Sequence, residues 1–396
     1  MDGRAAPHAG GALRLRGPRR DTPVDAHRLD RARALSTIVE PADTPSEGRP
    51  IRWGILGTAG IARAAVAPAI HASRHGTLLA VASRSAQSSE RFAADLGIER
   101  TYGSYDALLT DPDVEAVYIP LPNALHAPWT IRAAEAGKHV LCEKPLALSA
   151  AECRVMQSAA ELHGVRLVEA FMYRYHPRTV RAIEHVRSGS LGPLRTIRST
   201  FSFVVRRADD IRLDAALGGG ALMDVGCYCV NVTLAMAGRS PRTVQAVSIR
   251  HPGGVDRSLA ATLAFDDDLV AQFTCSLDAA RTESFEVIGR DGRLEASQAF
   301  LPGAATTRAL WTAGDGTTTP FEFAGVDQYA LMIDHVADVV RRGEAPRTGA
   351  EDAARTLQVI EALHASARDG GRPVTLQRAR VTSGSVGSAT IHEGGA

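Results

Sequence analysis

At 396 residues, the chain is too long for one ordinary core and is predicted to fold as two domains with tails. Its 45 basic and 44 acidic residues balance, so no overall charge favours nucleic acid or an anionic membrane, and small-molecule ligands fit better. No run approaches the roughly 18 to 20 continuous apolar residues of a membrane-spanning helix, so we expect a cytoplasmic protein without membrane attachment.

Residues 1–49 are predicted to be a disordered leader, because they are rich in Arg, Pro, Gly, Asp and Ala and show no sustained helical or strand period. The pair Arg19 and Arg20 resembles part of a twin-arginine export signal, but no apolar segment of about 7 to 15 residues follows it. This agrees with the expected cytoplasmic location. The Ser- and Gly-rich stretch 377–396 is predicted to be a flexible tail.

From Ile51 the pattern changes to short apolar runs that alternate with amphipathic segments, which predicts a Rossmann domain over 50–172. The runs expected to be buried strands are 51–56, 78–82, 116–119, 139–142 and 166–169. The segments expected to be helices are 61–73, 88–96, 105–109, 128–136 and 150–163. Strands that alternate with helices predict a parallel, doubly wound sheet and an α/β fold class.

Strands follow one another directly in the second half of the chain, which predicts an α+β domain over 173–376. The expected strands are 194–203, 244–250, 258–265, 270–276 and 284–288. The expected helices are 178–187, 328–342 and 351–367. Turn signals such as Pro252-Gly253-Gly254 separate the strands, so the sheet is expected to be mainly antiparallel, with helices on one face and the other face open.

A glycine-containing turn joins the first strand to the first helix, where a phosphate-binding turn of a dinucleotide site must lie. As a GxGxxG motif it departs from the pattern, because alanine replaces the second and third glycines. The βαβ context outweighs this departure. The residues expected to bind the cofactor here are Gly57, Thr58, Ala59, Gly60 and Ile61.

The second strand ends in Ser83, Arg84 and Ser85, where an NAD-specific protein usually carries Asp or Glu for the ribose 2′-hydroxyl. A guanidinium pairs with a 2′-phosphate, whereas a carboxylate repels it. The sequence therefore favours NADP, with NAD possible.

Two further strand ends carry residues, most of them polar, at the sheet edge where ligands of doubly wound folds bind. We assign five of them to cofactor contact: Leu121, Asn123, His126, Glu143 and Lys144. Apart from Lys138, Lys144 is the only lysine of the chain, every other basic residue being arginine. A compact ammonium suits a position beside a nicotinamide and a sugar hydroxyl.

Three segments together resemble the glucose-fructose oxidoreductase and inositol dehydrogenase family (Gfo/Idh/MocA). They are the strand-turn Gly54–Ala62, the triplet Glu143-Lys144-Pro145, and the stretch from Gly218 to Tyr228 that reads GGGALMDVGCY. The resemblance covers roughly 52–373 and is greatest to the branch of NADP-dependent D-xylose and dihydrodiol dehydrogenases. It implies an NADP-dependent sugar or polyol dehydrogenase with Lys144, Asp224 and Tyr228 as catalytic and substrate-binding residues.

The resemblance also suggests a mechanism. Asp224 and Tyr228 are spaced by four residues at the start of a predicted helix, so both can reach one ligand. We expect Tyr228 to take the hydroxyl proton, Lys144 to lower the pKa of that phenol, and Asp224 to orient the substrate.

The segment between the domains mixes aromatic and polar side chains, as a sugar site requires. Arg174 is expected to contact the cofactor, and Tyr173 and His176 the substrate. The five cysteines form no CxxC pattern, and no His, Asp and Cys set has metal-ligand spacing, so no metal is expected.

Three functions stay open at this point. The first is oxidation of an aldose such as D-xylose or D-glucose at C1 with NADP+. The second is oxidation of a trans-dihydrodiol or of a cyclic, inositol-type polyol. The third, from a different class, is a non-catalytic NADP-binding sensor. In each case the open sheet face and the resemblance predict a homodimer or homotetramer through the C-terminal sheet.

Overall fold

The computed structural model describes residues 48–376. The predicted leader, apart from its last two residues, and the predicted tail lie outside this range, and both stay predictions. Within this range there are two β-sheets and nine α-helices. The first sheet is parallel and Rossmann-like, and the domain that follows contains a mostly antiparallel sheet. The predicted fold class is confirmed.

Six strands form the first sheet: β1 Ile51–Leu56, β2 Gly76–Ala82, β3 Arg100–Tyr102, β4 Ala116–Ile119, β5 His139–Cys142 and β6 Leu167–Glu169. Their spatial order is β3-β2-β1-β4-β5-β6, and every neighbouring pair is parallel. β1, β2, β4, β5 and β6 were predicted from their apolar runs. β3 was not, because it has three residues, sits at the sheet edge and is no more than half-buried.

Five helices cover this sheet: α1 Ala67–Ala72, α2 Ala86–Leu96, α3 Tyr105–Leu109, α4 His126–Glu135 and α5 Ala150–Leu162. Three of these helices, α2, α3 and α5, are capped at their N-terminus by a serine. Ser85, Ser104 and Ser149 each accept a hydrogen bond from a backbone N–H in the first turn. One π-helical turn, Ala62–Val66, precedes α1, and no side chain caps its start.

Nine strands form the second sheet: β7 Leu194–Val204, β8 Thr243–Arg250, β9 Asp256–Ala264, β10 Val270–Ser276, β11 Asp278–Gly289, β12 Gly292–Ser297, β13 Thr307–Ala313, β14 Thr318–Phe323 and β15 Val374–Thr375. Their order is β14-β13-β12-β11-β7-β10-β9-β8-β15, and of these pairs only β7 with β10 is parallel. β12 to β15 were missed. β14 contains Pro320, and a proline argues against predicting a strand. β14 is an edge strand, where proline is tolerated.

Four helices accompany the second sheet: α6 Pro177–Arg187, α7 Cys227–Ala237, α8 Gln328–Arg342 and α9 Ala350–Arg368. Every residue of α7 is buried. Together with the turns before it, α7 forms a helical stretch, Ala215–Ala237, that is long and apolar enough to cross a membrane by length and composition alone. Because 94% of its most apolar window is buried inside the protein, it has the surroundings of a core helix.

The opposite face of the second sheet stays open in the single chain. Val247 and Ile249 on β8 are 64% and 57% exposed, although both are large apolar residues. Arg198 on β7 and Glu286 on β11 form an ion pair on the same face. The predicted open face is therefore present, with an apolar patch that a second copy of the chain could cover.

Candidate active site

A cavity of about 470 Å³ lies where the carboxyl ends of the first sheet meet the second sheet. Its lining includes many of the predicted site residues: Ala59, Gly60, Ile61, Leu121, Asn123, Glu143, Lys144, Asp224 and Tyr228. Other lining residues were not predicted from the sequence, among them Met172, Phe201, Phe203, Arg212, Arg281 and Tyr329. The cavity therefore combines a charged floor with aromatic walls, a combination that suits a sugar or a small ring.

Lys144 and Asp224 form the charged floor of the cavity. Lys144 belongs to the domain of the first sheet and Asp224 to the domain of the second. Lys144 follows β5, and Asp224 lies in the single π-helical turn Leu222–Gly226 before α7. Lys144 Nζ donates to the Asp224 backbone oxygen at 2.8 Å and to Oδ1 at 3.2 Å. Their side chains are only 13% and 16% exposed. An ammonium has three N–H groups, so Lys144 keeps donor capacity for a third acceptor in the cavity.

The charges of this pair stabilise each other. Burial alone would lower the pKa of Lys144, but the Asp224 carboxylate and the other nearby acidic groups, Glu143 among them, together outweigh it, and the pKa of Lys144 is raised. Burial alone would raise the pKa of Asp224, but Lys144 and Arg212 outweigh it and the pKa of Asp224 is lowered. Both groups are therefore charged at neutral pH.

Tyr228 forms one wall of the cavity beside this pair. Lys144 Nζ lies 5.0 Å from the centroid of the Tyr228 ring, over its face. The phenol points elsewhere and contacts Met172 Sδ at 3.6 Å. Burial raises the pKa of Tyr228 well above its usual range. The prediction that Lys144 lowers the phenol pKa is wrong, because the ammonium contacts the ring face instead of the oxygen.

Glu143 lines the cavity next to Lys144 and is held by its neighbours. Its Oε1 accepts from the Tyr118 hydroxyl at 2.6 Å, and its Oε2 accepts from the backbone N–H of Lys144 at 3.3 Å. Burial raises the pKa of Glu143 despite the nearby ammonium. This carboxyl group is thus placed to fix the strand end that carries Lys144.

His126, a predicted cofactor contact, does not line the cavity. It is fully buried, and its Nδ1 and Nε2 lie 2.9 Å from Pro145 O and 2.8 Å from Leu121 O. Burial lowers its pKa to about 4, so the ring is neutral near pH 7. The side chain turned inward at the start of α4 and joins the two strand-end loops that carry Leu121 and Lys144.

Three further predicted contacts come from the segment Phe171–Pro177; their side chains do not line the cavity, and the contacts stay predictions. The Tyr173 hydroxyl donates to Asn231 Oδ1 at 2.5 Å, and Arg174 Nη1 donates to the same oxygen at 3.0 Å. His176 Nδ1 accepts from the Arg178 N–H at 3.1 Å and so caps α6. All three side chains are buried in packing and hydrogen bonds. Their polar tips matched a sugar site, but the fold uses them to join α6, α7 and α9.

The turn after β1 fits a dinucleotide pyrophosphate. Gly57 has a φ of +118°, and a Cβ there would lie 3.0 Å from Leu121 Cδ2, so glycine is needed. Ala59, Gly60 and Ile61 follow it at the cavity, and Thr58 is half-buried beside them. Because no side chain caps the helix start, its N–H groups are available to an anion.

The end of β2 lies at the other end of the expected cofactor site. Arg84 and Ser85 are exposed, whereas Ser83 is buried. Ser83 Oγ accepts from the Ser85 N–H at 3.4 Å, and Ser85 Oγ accepts from the Ser88 N–H at 3.4 Å as the cap of α2. The two hydroxyls therefore shape the turn, and the guanidinium is the group best placed for a 2′-phosphate.

No group of three or more His, Cys, Asp or Glu side chains within residues 48–376 could hold a metal ion. The five cysteines are buried and free, Cys227 and Cys229 among them. Burial raises the pKa of Cys227 above its usual range, so it stays a neutral thiol beside Lys144.

Comparison with protein-family models matches both parts of the chain. Residues 51–171 match the GFO_IDH_MocA model, described as an oxidoreductase family with an NAD-binding Rossmann fold. Residues 179–295 match the GFO/IDH/MocA C-terminal domain.

Curated relatives and solved structures agree with these models. The chain is 42% identical to D-xylose 1-dehydrogenase (NADP(+)) 2 of Haloferax volcanii, over 80% of this chain and 98% of that protein. It is 34% identical to the trans-1,2-dihydrobenzene-1,2-diol dehydrogenase of Mus musculus, over 78% of this chain and 95% of that protein. A crystal structure of the 3-ketoreductase KijD10 from Actinomadura kijaniata with NADP and TDP-benzene matches with a TM-score of 0.75 at 34% identity, covering 80% of this chain and 98% of that one.

Proposed function

The chain belongs to the Gfo/Idh/MocA oxidoreductase family, and from this premise we propose that it oxidises an aldose at C1 to the lactone with NADP+. The predicted family is confirmed, and so are a dehydrogenase acting on CH–OH groups and NADP as cofactor. The aldose itself is the proposal. The observation that carries it is the meeting of Lys144, Asp224 and Tyr228 around one cavity at the dinucleotide edge of the first sheet.

The chain's own residues support hydride transfer as follows. Two N–H groups of Lys144 donate to Asp224, which holds the nitrogen in place, so the third position on Nζ faces the substrate oxygen. In the ammonium this position is an N–H that donates to a carbonyl oxygen, and in the neutral amine it is a lone pair that accepts from a hydroxyl. When bound, NADP+ supplies the hydride acceptor. In oxidation, the neutral amine of Lys144 takes the hydroxyl proton as hydride leaves the same carbon. In reduction, the ammonium returns that proton to the carbonyl oxygen. Tyr228 and the aromatic walls pack against the apolar face of the sugar.

A panel of substrates tests the proposal. We expect the purified protein to form NADPH, followed at 340 nm, with D-xylose or D-glucose and NADP+, and to turn over more slowly with NAD+. Turnover of trans-dihydrodiols or inositols in place of aldoses would favour the second candidate, which the apolar walls at Phe201 and Phe203 also suit. No turnover with any of them, together with tight NADPH binding, would favour a sensor.

The pH dependence of oxidation follows from the charge of Lys144. Because the raised pKa keeps this amine protonated near neutrality, its basic form is scarce there. We expect kcat/KM for aldose oxidation to rise about tenfold per pH unit between about pH 7 and pH 9. Initial rates in constant-ionic-strength buffers measure this. A flat profile over that interval would mean that another group takes the proton.

The cofactor preference is expected to depend on Arg84. Loss of one charged hydrogen bond to a phosphate costs about 1.5 to 3 kcal/mol, or roughly 10- to 100-fold in affinity. We therefore expect Arg84→Ala to raise KM for NADP+ by that factor and to leave KM for NAD+ unchanged. Arg91→Ala, which removes an exposed arginine on α2, is the matched control. Equal effects on both cofactors would place the 2′-phosphate elsewhere.

We also propose that two or four copies of the chain assemble through the open face of the second sheet. The exposed Val247 and Ile249 on that face support this. Light scattering on the purified protein tests it, and a monomer at micromolar concentration would contradict it.

A further inference from the structure

Arg212 touches the Lys144–Asp224 pair although it lies in a loop that the sequence analysis did not connect with catalysis. Its Nε donates to Asp224 Oδ2 at 2.8 Å. Its Nη1 donates to Asp210 Oδ1 at 3.2 Å. Asp224 therefore uses Oδ1 for Lys144 and Oδ2 for Arg212, so its carboxylate lies between two cations.

The Gly218-Gly219-Gly220 tract holds Arg212 in this place. The backbone N–H of Gly220 donates to Arg212 O at 2.8 Å. A Cβ at Gly219 would lie 2.4 Å from the same Arg212 oxygen, so only glycine allows the loop to approach so closely. The Asn123 amide donates to Gly218 O at 2.8 Å and ties the tract to the end of β4. The glycines of the family motif thus bring the Arg212 backbone to the edge of the cavity.

We propose that Arg212 is a positioning residue: it holds Asp224 Oδ2 away from Lys144, so that the third position on Lys144 Nζ, an N–H in the ammonium and a lone pair in the amine, stays available to the substrate oxygen. The inference rests on the proposed function. Without Arg212, the free Oδ2 can turn to the ammonium and become a second carboxylate acceptor for it. The substrate must then displace this contact before it can bind.

The charges around Lys144 predict how the loss of Arg212 would change its titration. Lys144 faces Glu143 on its own strand end, Asp224 and Cys227 from the helix, and Arg212 from the loop. Arg212 is the one cation among these groups, and it lowers the pKa of Lys144. Its removal, with the carboxylate then free to approach, raises the pKa of Lys144 further.

Arg212→Gln tests the proposal kinetically. We expect kcat/KM for the aldose to fall about tenfold, as for the loss of one charged hydrogen bond, and the rise of the pH profile to move to higher pH. The dissociation constant of NADPH should stay within about twofold of the wild-type value. Arg212→Lys should recover part of the rate, because one ammonium can replace one of the two contacts.

Arg207→Gln is the matched control, since Arg207 lies in the same loop, is 77% exposed and pairs with Asp209. If Arg212→Gln behaves like Arg207→Gln, or loses activity with an unchanged pH profile, the positioning role is refuted.

A crystal structure of the Arg212→Gln protein separates this inference from the proposed function. We expect Asp224 Oδ2 to lie within hydrogen-bond distance of Lys144 Nζ in that variant. An unmoved carboxylate overturns the inference even if the wild-type protein oxidises aldoses. If the wild type turns over no sugar, the proposed function fails, and the position of the carboxylate still decides the role of Arg212.

Discussion

Lys144→Met is expected to reduce kcat for aldose oxidation on the order of 10³-fold, the largest effect of any single substitution in the cavity. Methionine keeps the length of the side chain but removes both the proton acceptor and the N–H that binds the substrate oxygen. The variant should still bind NADPH, because the pyrophosphate turn at Gly57 and the guanidinium of Arg84 are untouched. Steady-state rates and NADPH fluorescence titration measure the two properties separately.

Tyr228→Phe is the matched control for this prediction. Within residues 48–376 the hydrogen-bond partner of the Tyr228 hydroxyl is the Met172 thioether sulfur, a weak acceptor, so removal of the hydroxyl should lower kcat less than about tenfold. A larger loss in Tyr228→Phe than in Lys144→Met would return the proton-transfer role to the phenol and contradict the assignment to Lys144.

Asp224→Asn is expected to have the second-largest effect. Without the Asp224 carboxylate, the effect of burial is opposed more weakly and the pKa of Lys144 falls, so the rise of kcat/KM with pH should begin at lower pH. At a pH where the amine is neutral in both proteins, kcat/KM should be about 10²-fold lower, because the Lys144 nitrogen is no longer held beside the substrate.

The direction of the pH shift distinguishes the effect of the acidic Asp224 on Lys144 from the effect of the basic Arg212. Asp224→Asn moves the profile to lower pH, whereas Arg212→Gln moves it to higher pH. Full pH profiles of both variants measure this difference. Shifts in the same direction would mean that the profile does not report the charge of Lys144.

The first sheet was predictable because its central strands are short, mainly apolar runs that alternate with amphipathic segments. β1 and β5 matched their predicted bounds. The edge strands of both sheets were harder, because a half-exposed strand such as β3 or a proline-containing strand such as β14 lacks that pattern.

The site was predictable at the level of loops and less so at the level of side chains. The ends of β4 and β5 lie at the cavity as expected, and Lys144 faces it, but His126 turns inward. The direction of a side chain depends on packing that is not local in sequence. Arg212 was missed for the same reason, since nothing local distinguishes it from Arg206 and Arg207 in one charged loop.

The transfer of hydride from the sugar carbon beside Lys144 is tested most directly with deuterium. D-xylose or D-glucose carrying deuterium at C1 is incubated with the protein and NADP+, and the reduced cofactor is analysed by mass spectrometry and NMR. We predict one deuterium at C4 of the nicotinamide, a primary isotope effect on kcat/KM, and loss of the labelled product with Lys144→Met. Unlabelled NADPH, or labelled NADPH formed equally fast by Lys144→Met, would contradict the account.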